Sequence, residues 1–381
     1  MTIVNRIKGF VRSISGALPL TLTDCVDEYS LIDYTISGNC VQNGTPSPDN
    51  PVEVESVGDL VTDETDVNYG KYKIPVVRRG KNIVGEYIYT NQTTQYWGVI
   101  TAKKDFTLKQ GVTYTISFDT PNTNMLVYYA HYTNVTEGFK ATRLDGKRKF
   151  ITITPTKDIT TNGIISVSSA MSDGIGTGIC SNCMIEEGTT ATDYEPYAEP
   201  VTTNIYLDEP LRKIGDYADY IDFENQKVVR KVSETILNGT EGGTFIGGGT
   251  TYERIYYTHS VFGSLPGESL CNAIKTTNSS DSGWNGTGFI IQVSTNGCFI
   301  YRPAYSGVLS DITSLNAWND FLAERYKNGN PIKLYYILAE AIEKIISIPK
   351  LPTIKGTTIY SIDTTIQPSD MSAAYYSTVK E

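Results

Sequence analysis

Histidine is nearly missing from this chain: of 381 residues, only His131 and His259 are histidines. Two imidazoles leave little material for general-base catalysis. No G-x-S-x-G, H-E-x-x-H or Walker loop occurs, and Gly80-Lys81-Asn82 lacks the preceding glycine and the Ser/Thr of a phosphate loop. No run of about 18 apolar residues is present to span a bilayer, so membrane insertion is not expected. Residues 1–20 carry basic side chains but no continuous apolar stretch, which argues against a signal peptide and for a chain made in a cytoplasm and used elsewhere. Charged residues are also scarce, at 19%, where about 25% is usual.

Cysteine is sparse and scattered, at 25, 40, 180, 183, 271 and 298. Cys180 and Cys183 form a C-x-x-C, but no second pair follows to complete a zinc site. Buried thiols on a strand are the plainer reading, and no disulfide, metal or other cofactor is expected. The charge that is present is acidic: 32 Lys and Arg against 42 Asp and Glu give −10. Such a surface repels polyanions, so a nucleic-acid partner is not expected.

What the chain has is alternation. Val112, Tyr114, Ile116 and Phe118 alternate with Thr113, Thr115, Ser117 and Asp119, the pattern of a half-buried strand with a polar outer face. Ile165, Val167, Ser169 and Met171 repeat it, as do Phe289, Ile291 and Val293, and in the tail Tyr360, Ile362, Thr364 and Ile366. Gly, Asn, Asp, Pro and Thr clusters punctuate these runs at the spacing of β-sandwiches and barrels. One helix is predicted over 315–328, with Leu315, Trp318, Leu322 and Arg325 on one face, Ser314 as cap and Gly329 as stop. Trp318 then belongs to the core. A weaker helical stripe joins Ile3, Ile7, Phe10, Val11 and Ile14, although Gly9 and Gly16 each weaken a helix by about 1 kcal/mol.

Composition divides the chain. Residues 1–30 are expected as an N-terminal attachment segment, 31–79 as a strand-and-loop connector, and 80–200 as a first β-sandwich. Residues 201–231 follow as acidic bridging strands, 232–349 as a second sandwich, and 350–381 as a C-terminal strand extension. The stretch from Gly44 to Pro51 holds three prolines and reads as a stiff surface loop. The fold class is therefore all-β, with two jelly-roll-like sandwiches and one short helix in the second.

For chemistry, the best carboxylate cluster is Asp216, Asp219, Asp222 and Glu224. A glycosidase needs two carboxylates roughly 5–9 Å apart, but on a strand 222 and 224 face one side and 219 the other. Cation binding and a solvated, edge-protecting acidic strand stay open as alternatives. The Gly247-Gly248-Gly249 run reads as a hairpin or bulge. Arg78-Arg79 with Lys81, and Lys147-Arg148-Lys149, read as solvated turns. Sugar binding calls for a flat aromatic face beside amides. Tyr87, Tyr89, Tyr96 and Trp97, flanked by Asn91, Gln92 and Gln95, supply that mixture, and Trp284 in Ser282-Gly283-Trp284-Asn285-Gly286 is a second exposed-aromatic candidate. The bland alternative places Trp97 in the core with Tyr96 on the solvated face. The candidate ligand-binding set is Trp97, Tyr96, Tyr87, Gln95 and Trp284; no catalytic residue is assigned.

Four segments carry a resemblance: Tyr34-Thr35-Ile36-Ser37-Gly38-Asn39 running into Val41 and the QNGTPSPDNPVEV loop (42–54); Gly80-Lys81-Asn82; Met184 through Tyr197 with its TATDYEPY turn; and Tyr336 through Pro349 continuing at Asp363–Asp370. Together they resemble minor structural and tail proteins of phages of Gram-positive bacteria, whose appended domains are carbohydrate-binding-module-like jelly rolls. Such modules usually present several tryptophans, whereas the first sandwich here has Trp97 alone. The resemblance implies a virion protein with glycan-binding-like folds, and the leading reading is a component of the tail fibre or baseplate, assembled in the host cytoplasm. It would bind host-surface glycan without catalysis, attach to other virion proteins through its N-terminal segment, and form a homo-oligomer, with a trimer favoured. A head fibre, decoration or tail adaptor protein of purely structural role is the first rival, and a glycan depolymerase the second.

Overall fold

The computed structural model describes residues 6–12, 19–25, 33–92, 97–119, 125–128, 142–143, 148–169, 181–246, 252–257, 264–277, 290–294, 297–303, 312 and 314–378. The chain is all-β, with one helix, Leu315–Lys327, among the described residues.

Short inward-facing pairs build the first core. Leu20 and Leu22, Tyr34 and Ile36, Ile74 and Val76, Ile205 and Leu207, and Tyr360 and Ile362 each stand two residues apart on a strand, so each pair points to one face. All ten are buried together with Leu211, Ile221, Phe223 and Met371. One wall is a sheet in the order Val201–Leu207, Tyr72–Gly80, Gly356–Ile362, Leu20–Cys25, with Asp59–Leu60 paired to Tyr72–Gly80. The other wall is the near part of a 12-stranded sheet, in the order Arg6–Arg12, Met371–Thr378, Asp33–Ser37, Tyr220–Asp222, Lys227–Leu237. Tyr34 lies between Phe223 and Tyr360, with ring centroids 4.6 Å and 5.7 Å away. The segments expected as attachment, connector, bridge and tail thus supply the strands of one base sandwich.

Two readings need correction here. Arg6–Arg12 is a strand, paired antiparallel from Arg6↔Thr378 to Arg12↔Ser372, not part of a helix. Gly9 and the β-branched Ile7 and Val11 are poor helix material, and a waiting strand edge satisfies their backbone. The second correction concerns 232–349. Its strands continue the same large sheet, through Lys227–Leu237, Ile332–Ile345, Ser264–Cys271, Ile290–Ser294, Gly297–Pro303, Tyr252–Tyr257 and Thr244–Ile246, instead of forming a separate pair of sheets.

The helix covers this part of the sheet. Ser314 accepts the Ala317 N–H at its start (3.2 Å), and Gly329, at φ +72°, follows its end. Trp318 and Leu322 sink into a core with Leu237, Ile255, Tyr257, Leu334 and Tyr336, and the indole N–H of Trp318 donates to the Tyr257 hydroxyl at 2.7 Å. The Pro-rich loop is docked and not free. The Gln42 side-chain amide donates to the Val52 and Cys271 carbonyls (both 2.9 Å), and Arg325, from the last turn of the helix, donates to the Pro48 carbonyl (2.8 Å).

Residues 82–187 make a second two-sheet unit. Arg148–Ile153, Tyr114–Asp119 and Ser181–Glu187 form one sheet. Thr142–Arg143, Met125–Tyr128, Ile159–Ser169, Trp97–Leu108 and Tyr87–Gln92 form the other. Its core holds Ile100, Phe106, Leu108, Ile116, Phe118, Ile151 and Ile185. Tyr114, Ile116 and Phe118 point inward as their alternation predicts, but Thr115 and Ser117, expected on a polar outer face, are fully buried too. They are covered because the chain after Glu187 straps across that face. Thr115 Oγ1 donates to Gly188 O (2.8 Å), the buried Glu186 carboxylate accepts from the Thr192 N–H and hydroxyl (2.9 and 2.7 Å), and Arg148 reaches both Ser117 Oγ (2.7 Å) and the face of Tyr194.

Candidate functional site

The inserted sandwich enters the base between two neighbouring strands: Tyr72–Gly80 and Val201–Leu207 pair antiparallel, with Arg78 opposite Val201. Glu195 ties the joint. Its carboxylate meets Lys81 Nζ at 2.7 Å and accepts from the Thr357 N–H (2.7 Å) and hydroxyl (2.9 Å) of the base. Its carbonyl accepts from the Asn82 side chain at 3.1 Å, while Asn82 Oδ1 takes the N–H groups of Val84 and Ile185. Gly356 is required here, since a Cβ at its φ of +90° would stand 2.6 Å from Glu195 Oε2. Arg79 adds an ion pair to Glu187 at 2.8 Å. Arg78, Arg79 and Lys81 therefore belong to strand and joint and not to a solvated turn. In the second basic patch Lys149 is fully buried on the Ile151 face, without a hydrogen-bond partner for its amine among the described residues. Glu195→Ala is expected to remove about 2–3 kcal/mol at the joint. In calorimetry the parent is expected to melt as one unit and the variant in two transitions, and an unshifted single transition would refute the role given to Glu195.

Tyr87–Gln92 and Trp97–Leu108 are paired as a hairpin, with Tyr89 opposite Ile100 and Gln92 opposite Trp97. Tyr87 is half-buried against the inserted core, and its hydroxyl accepts the Cys183 N–H at 3.2 Å, so this ring serves the sandwich interior. The backbones of Tyr89, Asn91, Gln92 and Trp97 are placed on these two strands; Gln95, Tyr96 and Trp284 lie outside the described residues. So do Cys180 and Gly247 to Gly249, whereas Cys183 is a buried thiol.

The acidic cluster does not come together. Asp216 and Glu224 are exposed, and Asp222 caps its own turn by accepting from Asn225 N (2.9 Å) and Nδ2 (2.8 Å). Asp219 is fully buried and saturated. Oδ1 accepts the N–H groups of Lys231 (2.7 Å) and Val232 (2.9 Å), and Oδ2 those of Arg212 (3.1 Å) and the Arg230 guanidinium (3.2 Å). These partners sit where the pairing of Lys227–Leu237 with Ile332–Ile345 jumps from Arg230↔Ile342 to Val232↔Ile337. Asp219 thus fills a break in the ladder and is not part of a solvated edge. Among the described residues no three His, Cys, Asp or Glu side chains converge as metal ligands.

One concave feature was not foreseen. A basin of 380 Å³ opens where the end of the Pro-rich loop meets the large sheet, with Glu53, Glu55 and Asp59 on one side and Arg212, Glu234 and Tyr335 on the other. Arg212, 4% exposed, is held at 2.6 Å by both Glu209 and Glu234, with its guanidinium over the Tyr335 ring. Burial works against the Arg212 charge, but these carboxylates raise its pKa overall. Glu53 is bound by Lys333 at 2.7 Å and by Asn272 at 3.1 Å; burial opposes its charge, yet these partners keep its pKa below the usual carboxylate value. The sequence signal for this basin was the loop itself, whose last residues are Pro-Val-Glu-Val.

Comparison of the chain with family models, with curated proteins and with solved structures finds no match.

Proposed function

We propose that the chain is a structural protein of a bacteriophage virion, of the tail fibre or baseplate, that holds host-surface glycans without chemistry on them. The observation that favours this reading is the placing of the inserted sandwich. It is spliced between adjacent strands of a base built from both ends of the chain, and both of its connections are fastened at one joint around Glu195. That is the arrangement of a presenting module on a load-bearing support. The segments that resemble phage tail proteins include both sides of this joint, Gly80-Lys81-Asn82 and the TATDYEPY turn. Attachment to other virion proteins is assigned to Arg6–Arg12, the outermost strand of the large sheet, whose outer edge is unpaired among the described residues.

The test is adsorption of the whole chain to host cells and to a glycan array. Trp97→Ala and Trp284→Ala should each weaken binding, since stacking on an exposed aromatic is worth about 1 kcal/mol or more and several copies multiply it. The melting temperature should hold. A variant that melts early shows that its tryptophan is a core residue, and a parent protein that binds neither cells nor glycans sinks the reading.

A further inference from the structure

We infer that the basin beside the Pro-rich loop binds an amino sugar in its ammonium form, at a site on the base and separate from the inserted sandwich. Its volume of 380 Å³ lies within the range of about 300–1,000 Å³ usual for small-molecule sites. Its lining is acidic, with four carboxylates (Glu53, Glu55, Asp59 and Glu234) against two cations, Arg212 and Lys333. Both cations are already engaged: Lys333 by Glu53, and Arg212 by Glu234 and Glu209. Glu55 is exposed and its side chain has no hydrogen bond or ion pair among the described residues, which leaves a free carboxylate at the rim. A positively charged ligand is favoured there over a neutral or anionic one.

A second, independent observation points to a ligand. Tyr335 is only 3% exposed, yet it lines the basin, and its hydroxyl has no hydrogen-bond partner among the described residues. Burial first, and the Glu234 carboxylate next, hold its phenol above the ordinary tyrosine range, so it stays a neutral donor at the basin wall. The Nε of the buried Arg212 is likewise without a partner. Tyr72 and Pro210 add an apolar wall. An ammonium for Glu55, a ring hydroxyl for Tyr335 and a C–H face for the wall describe an amino sugar. A bare metal ion would need several oxygens at one point, and the described carboxylates are not so arranged.

The inference does not depend on the host-surface reading, because every lining residue of this basin belongs to the base side of the chain and none to residues 82–187. The test is titration of the full chain, followed by calorimetry and saturation-transfer NMR, with glucosamine, glucose and lysine amide. Glucosamine should bind saturably and at least about tenfold more tightly than glucose, which lacks the charge, and than lysine amide, which lacks the hydroxylated ring. Glu55→Gln and Tyr335→Phe should each weaken glucosamine by about fivefold or more at unchanged melting temperature. Should Tyr335→Phe unfold the protein, Glu55→Gln, at an exposed side chain, decides alone. No saturable glucosamine binding, equal binding of the three probes, or parent-like affinity in Glu55→Gln overturns the inference.

Discussion

Asp219→Ala is expected to cost about 3–5 kcal/mol of stability, the range for stripping one partner from a buried, hydrogen-bonded charge pair. The carboxylate is fully buried and receives four N–H groups, three from backbone and one from Arg230. Alanine leaves the N–H groups of Arg212, Lys231 and Val232 without an acceptor and deprives the Arg230 guanidinium of its counter-charge. Asp219→Asn tests the same point more sharply. Every neighbour of this side chain is a donor, so an amide must turn its own NH₂ toward N–H groups whichever way it flips. Asparagine should therefore rescue little of the loss despite its matching shape. Urea denaturation of the three proteins gives the answer; a loss within about 1 kcal/mol for alanine, or near-complete rescue by asparagine, would show that the ladder break does not need this carboxylate.

Removing the inserted sandwich should leave a folded base and, on the proposed function, abolish adsorption to host cells. The excision deletes residues 81–198 and closes Gly80 to Glu199 with Asn-Gly, a two-residue turn suited to adjacent antiparallel strands. The cores make this feasible. Every buried residue of the inserted core lies between Val84 and Ile185. The base and helix-covered cores draw on no residue between Val76 and Ile205. What is lost at the joint is the bonding of Glu195 to Thr357 and the ion pair of Arg79 with Glu187, so a drop of a few degrees in melting temperature is the expected cost. Adsorption should fall at least about tenfold, given that multivalent attachment collapses when one class of contact is removed. An aggregated product would refute the modular description of the fold, and a soluble product that adsorbs like the parent would refute the assignment of binding to the insert.

Local features were legible in the sequence because local chemistry determines them. Ser314, the 3.6-residue spacing of Leu315, Trp318 and Leu322, and Gly329 specify a helix without outside help, and it stands at Leu315–Lys327. Period-two runs announced strands for the same reason. Pairing was not legible. Arg6 finds Thr378 across nearly the whole chain, and nothing in either segment names the other. The base is assembled from such distant partners, so its strands read as connectors when taken one at a time. Thr115 and Ser117 misled in a related way: a polar face covered later by a polar strap looks, in sequence, like a face open to water. Asp219 read as a solvated charge because its four donors come from two places in the chain, Arg212 and the run Arg230 to Val232. The candidate aromatics were found by composition, which names residue types but not their neighbours, and Tyr87 shows the difference.

The splice point has a mechanical consequence. Tyr72–Gly80 and Val201–Leu207 both run from the base into the insert and lie side by side, and Tyr72–Gly80 is flanked on its other edge by Gly356–Ile362. A pull on the insert along these strands loads both at once, and the ladder bonds from Tyr72–Gly80 to Gly356–Ile362, which lie across the pull, are strained together and not one after another. The termini are arranged in the opposite sense. Arg6 and Thr378 end at the same point of one antiparallel pair, so drawing them apart opens that pair bond by bond like a zip. The molecule should resist force applied through its insert and yield to force applied between its ends, a directional strength that single-molecule stretching from the two pairs of points would measure as different rupture forces.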